Sequence, residues 1–555
     1  MKNKLIYSLL VTFFIFSQSV YAQNPMPDAG AIEESTPKET QLERNEDFIE
    51  DDQSSQADVE EVEPDTRQPQ TMDDGQVKVL VRQFDINQSE ILSEEEINSI
   101  TSKYVGKQLG IDQLKDITND INALYVKKGF ITARAYLPPQ TVKSGIITIK
   151  LIEGRVGNIS IEGNKWTKRS YIEARISEKP GELFDLKELE NDILKFNRQH
   201  IVKLRASLKP GEEVGETDIQ LVANDPFPFH LSGTFDNTGR STVGVLRGGV
   251  AFSSDSLFGF RDRFVMGYSR AKSTDVAYSN YSFPVGKYGT RLGGSFAFSN
   301  IKITKGPFKP LDITGQSYNY GGFVTHPFIS TRKFDFTGEM GVNFRQVYTH
   351  INAFDLRLSP TQVRTLTAAL NFEYRDKWGR WMSRHAFVNG LDLLGGSSRF
   401  FKYDGSVTRL HNFGHGVIGI FRGATQLTGD NLPPVEQFQL GGSSTVRGYS
   451  EGLLIGDKGY FFSAELRVPL PLPKHIGKLA VRDRIRGVLF IDHGGTFLDG
   501  TTAHHTDYLT GIGFGLRGAI TKYVSGRIDW GFALGRREDP QPTARMHFGL
   551  QANPF

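Results

Sequence analysis

The sequence predicts a mainly β protein: a transmembrane barrel of sixteen strands preceded by two small α+β domains. Three observations lead there. Apolar and polar residues alternate with period two from about residue 227 to the C-terminus. Residues 76–225 repeat one helix-and-strand pattern at a spacing of about 72 residues. An export signal opens the chain, and no later stretch approaches the ~20 apolar residues of a spanning helix.

At the N-terminus, Lys2 and Lys4 precede an apolar core from Leu5 to Phe16, and Val20-Tyr21-Ala22 follows. This is the pattern of a secretory signal peptide over 1–22. The apolar run is short for the rival reading, a membrane anchor. Residues 23–75 form an acidic linker. Its first 52 residues, 23–74, hold 17 Asp/Glu and 3 Lys/Arg, a balance of −14 within a chain of net charge +2. Such a segment cannot bury enough apolar area to offset its ordering entropy. A short helix around 29–50 is the one element it suggests.

Two domains follow, 76–153 and 154–225. Leu114, Ile117, Ile121 and Leu124 share one helical face, and so do Leu186, Leu189, Ile193 and Phe196. Each helix leads into a similar strand, Arg134-Ala135-Tyr136-Leu137 and Arg205-Ala206-Ser207-Leu208. A second strand follows each time, Ile146–Glu153 and Asp218–Val222. A strand opens each unit, Val77–Phe84 and Val156–Gly163. Each unit therefore reads strand, helix, helix, strand, strand.

From 226 to 555 helical periodicity is gone. Phe462, Ala464 and Leu466 alternate with Ser463, Glu465 and Arg467. Ile512, Phe514 and Leu516 alternate with Gly511, Gly513 and Gly515, and Ile528, Trp530 and Phe532 with Arg527, Asp529 and Gly531. Roughly sixteen such segments of ~9–11 residues fit a membrane barrel. The polar face is too polar for a dry sandwich core, and no blade-length repeat supports a propeller. A polar inner face implies a water-filled lumen, hence a pore in an outer membrane. High Gly and Phe contents, 58 and 40 residues, suit antiparallel β structure.

Composition excludes several functions. The 65 basic residues nearly balance 63 acidic ones, unlike a nucleic-acid binder. No cysteine exists to form a disulfide, a thiolate metal site or a nucleophile. The 12 His are scattered without metal-ligand spacing, and His504-His505 reads as a loop. No nucleotide-binding loop is present, so no metal and no cofactor is expected. Gly448-Tyr449-Ser450-Glu451-Gly452 matches a nucleophile elbow, with Asp492 and His493 downstream, but no helical pattern follows Ser450. Gly513, Gly515 and Gly518 match a dinucleotide fingerprint only formally, since they lie on an alternating strand; small residues facing a crowded lumen explain them.

Two motifs are more specific. Val446-Arg447-Gly448-Tyr449 lies in a long connection, about 428–458. Phe490-Ile491-Asp492-His493-Gly494 lies on the strand after next. Leu489 and Ile491 suit lipid, so Phe490 and Asp492 face the lumen, where a carboxylate needs a partner. Arg447 could supply one by folding its loop inward. From spacing alone, an ordinary surface-loop arginine is the simpler reading. A wet lumen would screen the pair and set its worth at ~1–3 kcal/mol.

These motifs resemble those of the TpsB family, the outer-membrane transporters of two-partner secretion, which share a superfamily with the barrel-assembly protein. Asp236-Asn237-Thr238-Gly239, Leu257-Phe258-Gly259 before Asp262, and Tyr281-Ser282-Phe283-Pro284-Val285-Gly286 also look like the family's barrel-start motifs. The resemblance spans roughly 76–555. It implies two periplasmic POTRA domains, a 16-stranded barrel, and a loop six (Val446, Arg447, Gly448, Tyr449) folded inside against the wall motif Phe490, Asp492, Gly494. It also implies an N-terminal plug helix, which could rest in a lumen lined by residues such as Arg263 and Arg527. The C-terminus departs slightly: Phe555 is the expected terminal aromatic, but Phe548, Leu550 and Ala552 have the opposite parity. Pro554 makes a bulge or one-residue shift the expected remedy.

The implied function is a pore that binds an unfolded exoprotein at POTRA sheet edges and passes it to the cell surface. The implied partners are an exoprotein with β-helical repeats and outer-membrane lipid, with no nucleic acid and no nucleotide. The alternative is an assembly factor that inserts other barrels. A displayed enzyme or adhesin is disfavoured because no large passenger region exists.

Overall fold

A computed structural model describes residues 59–60, 78–142, 144–471, 475–476, 479–480, 485–498, 505–519, 521, 523–535 and 543–554. The expected signal peptide, the plug helix and Phe555 lie outside the described residues. The chain divides into two compact units between Phe227 and Pro228.

The first unit holds the repeat. Helix Glu94–Thr101 begins with a reciprocal capping box: Ser93 accepts from the Glu96 N–H, and Glu96 accepts from the Ser93 N–H. Helix Ile111–Lys128 ends at Gly129, whose φ of +101° suits glycine. Leu114, Ile117, Ile121 and Tyr125 form its buried stripe. Leu124, partly buried, packs against the same core, and the Tyr125 hydroxyl donates to Glu153 Oε1 at 2.9 Å. The opening strand is shorter than expected and split into Val79–Leu80 and Gln83–Ile86. The break falls where the Val81 and Arg82 N–H groups donate to Lys107 and Gly145 carbonyls. Gln83–Ile86 pairs in parallel with Ile146–Ile152, which pairs antiparallel with Arg134–Tyr136.

The second half repeats this order. Arg155–Glu162 runs parallel to Glu216–Asn224, and Lys203–Pro210 pairs antiparallel to it. Leu189, Ile193 and Phe196 of helix Leu186–Gln199 are buried against this sheet. A feature not read from the sequence recurs in both halves. Asn122 accepts from the Ala135 N–H and donates to the Ala135 carbonyl, and Asn197 does the same for Leu204. Each helix thus clasps the strand beside it with a side-chain amide that imitates a peptide group. Val59–Glu60 adds in parallel along Lys203–Pro210, opposite Ala206 and Ser207.

One carboxyl in this half titrates unusually. Burial pushes Glu178 up to about 7; the Asp185 N–H opposes the shift, and the charges of Glu188, Asp185 and Asp192 reinforce it. The folded pKa lies above the unfolded ~4.3, so the folded state holds the proton longer. Stability is then fully present below the unfolded value and declines as pH rises towards 7. We expect this half to unfold more readily at pH 8 than at pH 5 in amide-exchange measurements, and Glu178→Gln to flatten that slope. An unchanged slope in the variant would remove Glu178 as its source.

The second unit is a closed antiparallel barrel of sixteen wall strands, from Phe229–Asp236 to Ala544–Ala552, with the short strand Leu356–Arg357 added to the end of one of them. Alternation sets its faces. Leu489, Ile491, Ile512, Phe514 and Phe532 are exposed outside, while Val488, Phe490 and Asp492 are buried inside. The lumen carries ion pairs, among them Arg375–Asp335 at 2.7 Å and Arg384–Glu339 at 3.0 Å. Among the described residues no helix is long and apolar enough to cross a membrane.

First and last strands meet over four residue pairs, Gly233–Asp236 against Gly549–Ala552. Asn237, in the expected barrel-start motif, lengthens this seam. Its amide accepts from the Phe548 N–H and donates to the Met546 carbonyl. The last strand ends at Ala552, ahead of Pro554. His505 opens strand His505–Ala519 and does not lie in a loop, because it pairs with Leu498; His504 lies outside the described residues.

Candidate functional site

Loop six connects strands Val417–Thr428 and Lys458–Pro469. It folds into the lumen as a hairpin, Phe438–Leu440 against Leu454–Gly456. Its tip is held by short local bonds: the Gly441 N–H donates to Thr445 Oγ1 at 2.8 Å, and the Ser443 N–H to Glu451 Oε1 at 2.8 Å. Gly448 adopts a φ of +98°, which turns the chain just after Arg447.

That turn aims Arg447 at the wall. Its Nε donates to Asp492 Oδ2 at 2.8 Å and its Nη2 to Asp492 Oδ1 at 3.0 Å, a bidentate clamp. The Arg447 backbone N–H adds a third bond to Asp492 at 3.1 Å. Nη1 donates to Glu465 Oε2 at 2.6 Å and lies 3.7 Å from Asp529. The guanidinium carbon sits 3.5 Å from the centre of the Phe490 ring, a cation–π contact. Arg447 is 2% exposed and Asp492 is 0% exposed.

This burial corrects the expected wetness: the lumen is dry at this point, so solvent does not screen the pair. The charges must then balance locally, and they do. Arg467 donates to Glu465 at 2.8 Å and Arg517 to Asp529 at 2.8 Å. Three arginines thus face three carboxylates. Glu465 and Asp529 carried only an inward parity in the sequence, with nothing to join them to Arg447.

The remaining motif residues each have a contact. Val446 is fully buried, and Tyr449 donates to the Leu534 carbonyl at 2.9 Å, with the Thr510 carbonyl at 3.1 Å. Gly494 lies beneath the hairpin: a Cβ there would approach Leu440 to 2.7 Å and the Tyr460 carbonyl to 2.6 Å. Phe490, Asp492 and Gly494 therefore act in sequence along one inward face, as stacking surface, anion and bare floor.

Missing side chains make the rest of the seat. A Cβ on Gly511 would stand 2.0 Å from the Arg447 carbonyl oxygen, and one on Gly531 2.4 Å from the Gly448 nitrogen. A Cβ on Gly513 would meet the Phe490 ring at 2.4 Å. The glycine alternation is thus a groove that receives the loop.

Hydrolase chemistry does not fit. Both Asp492 oxygens are held by Arg447, and alternation puts His493 on the opposite side of the wall, where it bonds Tyr460 and Thr510. Among the described residues no His/Cys/Asp/Glu group could hold a metal ion.

Comparison with known proteins follows the same lines. Residues 215–518 match the family model described as haemolysin secretion/activation protein ShlB/FhaC/HecB, and residues 79–154 match a POTRA domain of ShlB type. The heme/hemopexin transporter protein HuxB of Haemophilus influenzae is 24% identical over 426 residues, covering 72% of each chain. The outer membrane transporter CdiB of Escherichia coli is 23% identical over 465 residues, covering 80% of this chain and 77% of that one. The structure of Escherichia coli CdiB superposes with a TM-score of 0.63 at 20% identity, covering 95% of this chain and 99% of that one. BamA from Haemophilus ducreyi, lacking POTRA domains 1–3, superposes at 0.53 with 13% identity, covering 86% and 100%. At these identities the structural likenesses show the fold alone.

Proposed function

The chain belongs to the haemolysin secretion/activation protein family ShlB/FhaC/HecB, and from that premise we propose that its two POTRA domains bind an unfolded exoprotein, which then threads through the barrel to the cell surface. It is a two-partner secretion transporter of the outer membrane, with its POTRA region in the periplasm. Transporters of this kind work with TpsA-type exoproteins. Its client would carry β-helical repeats, and its barrel would contact lipid through the apolar outer face.

The observation that carries the threading step is the loop-six lock. A loop clamped inside a lumen by one buried arginine is a stopper that can be displaced, and the motif residues Val446, Arg447, Gly448 and Tyr449 with Phe490, Asp492 and Gly494 are its parts. Recognition by backbone pairing suits the sheet edges, because an extended chain of almost any sequence can add a strand. The two edges differ. Arg134–Tyr136 has three residues, with Asn122 on the middle one; Lys203–Pro210 has eight and already accepts Val59–Glu60. The longer edge is the better client site. No ATP supply exists in the periplasm, so folding of the client outside supplies direction. The alternative, insertion of other barrels, is supported only by a shared fold.

Deleting 76–153 or 154–224 is expected to stop release of the client while leaving a heat-modifiable barrel in outer-membrane fractions. Release is followed by immunoblot of the medium for a large exported protein with β-helical repeats, sought among the neighbouring genes. Full secretion by either deletion would overturn recognition through the POTRA domains.

A further inference from the structure

The outer end of the lumen holds a second closure made by the base of loop six, not by its tip. Leu432 and Val435 lie on the descending limb of the loop. They pack against Val347, Val363, Val388 and Phe400, one from each of four consecutive strands. Each wall residue sits near the outer end of its strand and points inward by alternation. On the strand of Val347, for example, Met340 and Val342 are exposed on the opposite face. All six are buried, as are Val243 and Ile301, which complete the eight-residue cluster. An apolar layer across a lumen otherwise lined by ion pairs is a place where water and ions are excluded.

Polar groups pin this layer from its rim. The Glu436 carboxylate lies 3.0 Å from Lys402 Nζ and 3.4 Å from Arg345 Nη1. Arg345 also donates to the Val435 carbonyl at 2.8 Å. Asp457, at the far end of the loop, accepts from the Leu432 N–H at 2.9 Å and from Gln437 at 3.0 Å. Gln426 donates to the Glu436 and Asp457 carbonyls at 3.0 and 2.9 Å, which ties both ends of the loop to the wall. The tip, by contrast, is locked on strands Lys458–Pro469, Ile485–Leu498 and Val524–Leu534. The two attachments share no residue and use different arcs of the wall.

We propose that Leu432, Val435 and Glu436 form an outer seal that keeps the idle pore closed to ions and small solutes, independently of the Arg447 lock. Passage of a client then requires both attachments to release. The seal is read without a client, so its failure and that of the secretion reading are separable.

The test is planar-bilayer conductance of the full chain in potassium chloride, with vancomycin sensitivity of cells as a second readout. Leu432→Ser combined with Val435→Ser should raise open-channel current at least ~5-fold and sensitise cells. Lys402→Met, which leaves Glu436 with Arg345 alone while keeping the layer apolar, should give a smaller rise and serves if the double variant fails to insert. Arg447→Ala should add to either, since residues without shared partners act additively. Each variant is also measured without 23–50, so that this segment cannot mask an open seal. Unchanged current in an inserted, heat-modifiable variant, with and without 23–50, overturns the proposal.

Discussion

Replacing Arg447 by Ala is expected to abolish secretion while a folded barrel still reaches the outer membrane. The substitution removes the Asp492 clamp, the Glu465 bond and the stacking on Phe490 at once. It leaves three buried carboxylates facing two arginines. Breaking a buried ion pair on one side costs ~3–5 kcal/mol, enough to unseat a loop but small beside the hydrogen-bonded wall. Asp492→Ala should be less severe, because Arg447 keeps Glu465 at 2.6 Å. The double variant restores the charge balance and should secrete no worse than Arg447→Ala, as contacting residues do not add. Arg447→Lys should also fail, since an ammonium cannot reproduce the bidentate clamp. Client in the medium and heat-modifiability of the barrel measure both halves of the claim. Full secretion by Arg447→Ala, or plainly additive losses in the double variant, would defeat it.

Gly531→Ala and Gly511→Ala are expected to give nearly the same loss without touching a charge. A single methyl at either position collides with loop backbone, at 2.4 Å from the Gly448 nitrogen and 2.0 Å from the Arg447 oxygen. Backbone cannot rotate away as a side chain can, so the tip must lift. Overpacking of this kind costs ~1–3 kcal/mol. Gly294→Ala is the control. It lies on another wall strand, and its nearest neighbour would be 3.5 Å from the new methyl. Protease accessibility of loop six in intact cells should rise for the first two and not for the control. If Gly531→Ala and Gly511→Ala both secrete and protect the loop normally, the glycine groove is not the loop's seat.

Much of this architecture is legible in the chain because a barrel wall faces two solvents. Lipid outside and water inside write an apolar–polar alternation into every strand, and that pattern is local. It gave the inward direction of Phe490 and Asp492, the polar character of the lumen, and the outward direction of Ile512 and Phe532. The helical stripes Leu114–Ile117–Ile121 and Leu189–Ile193–Phe196 are equally local, since one face of a helix must be buried.

Parity, however, names a face without giving a height or an arc. That Glu465, 18 residues from Arg447, and Asp529 on a later strand meet the same guanidinium depends on barrel closure and on how deep loop six descends. Nor does alternation tell a wet lumen from the dry pocket the loop creates by filling it. The seat at Gly511 and Gly531 is an absence of side chains, and an absence acquires meaning only when something fills it. The outer seal is similar: Leu432 and Val435 read as ordinary loop residues until the strand ends of Val347, Val363, Val388 and Phe400 close round them. The sequence by itself determined the strands, their faces and the motif that carries the lock. The tertiary structure decided the partners, because those contacts join residues whose separation along the chain carries no periodic signal.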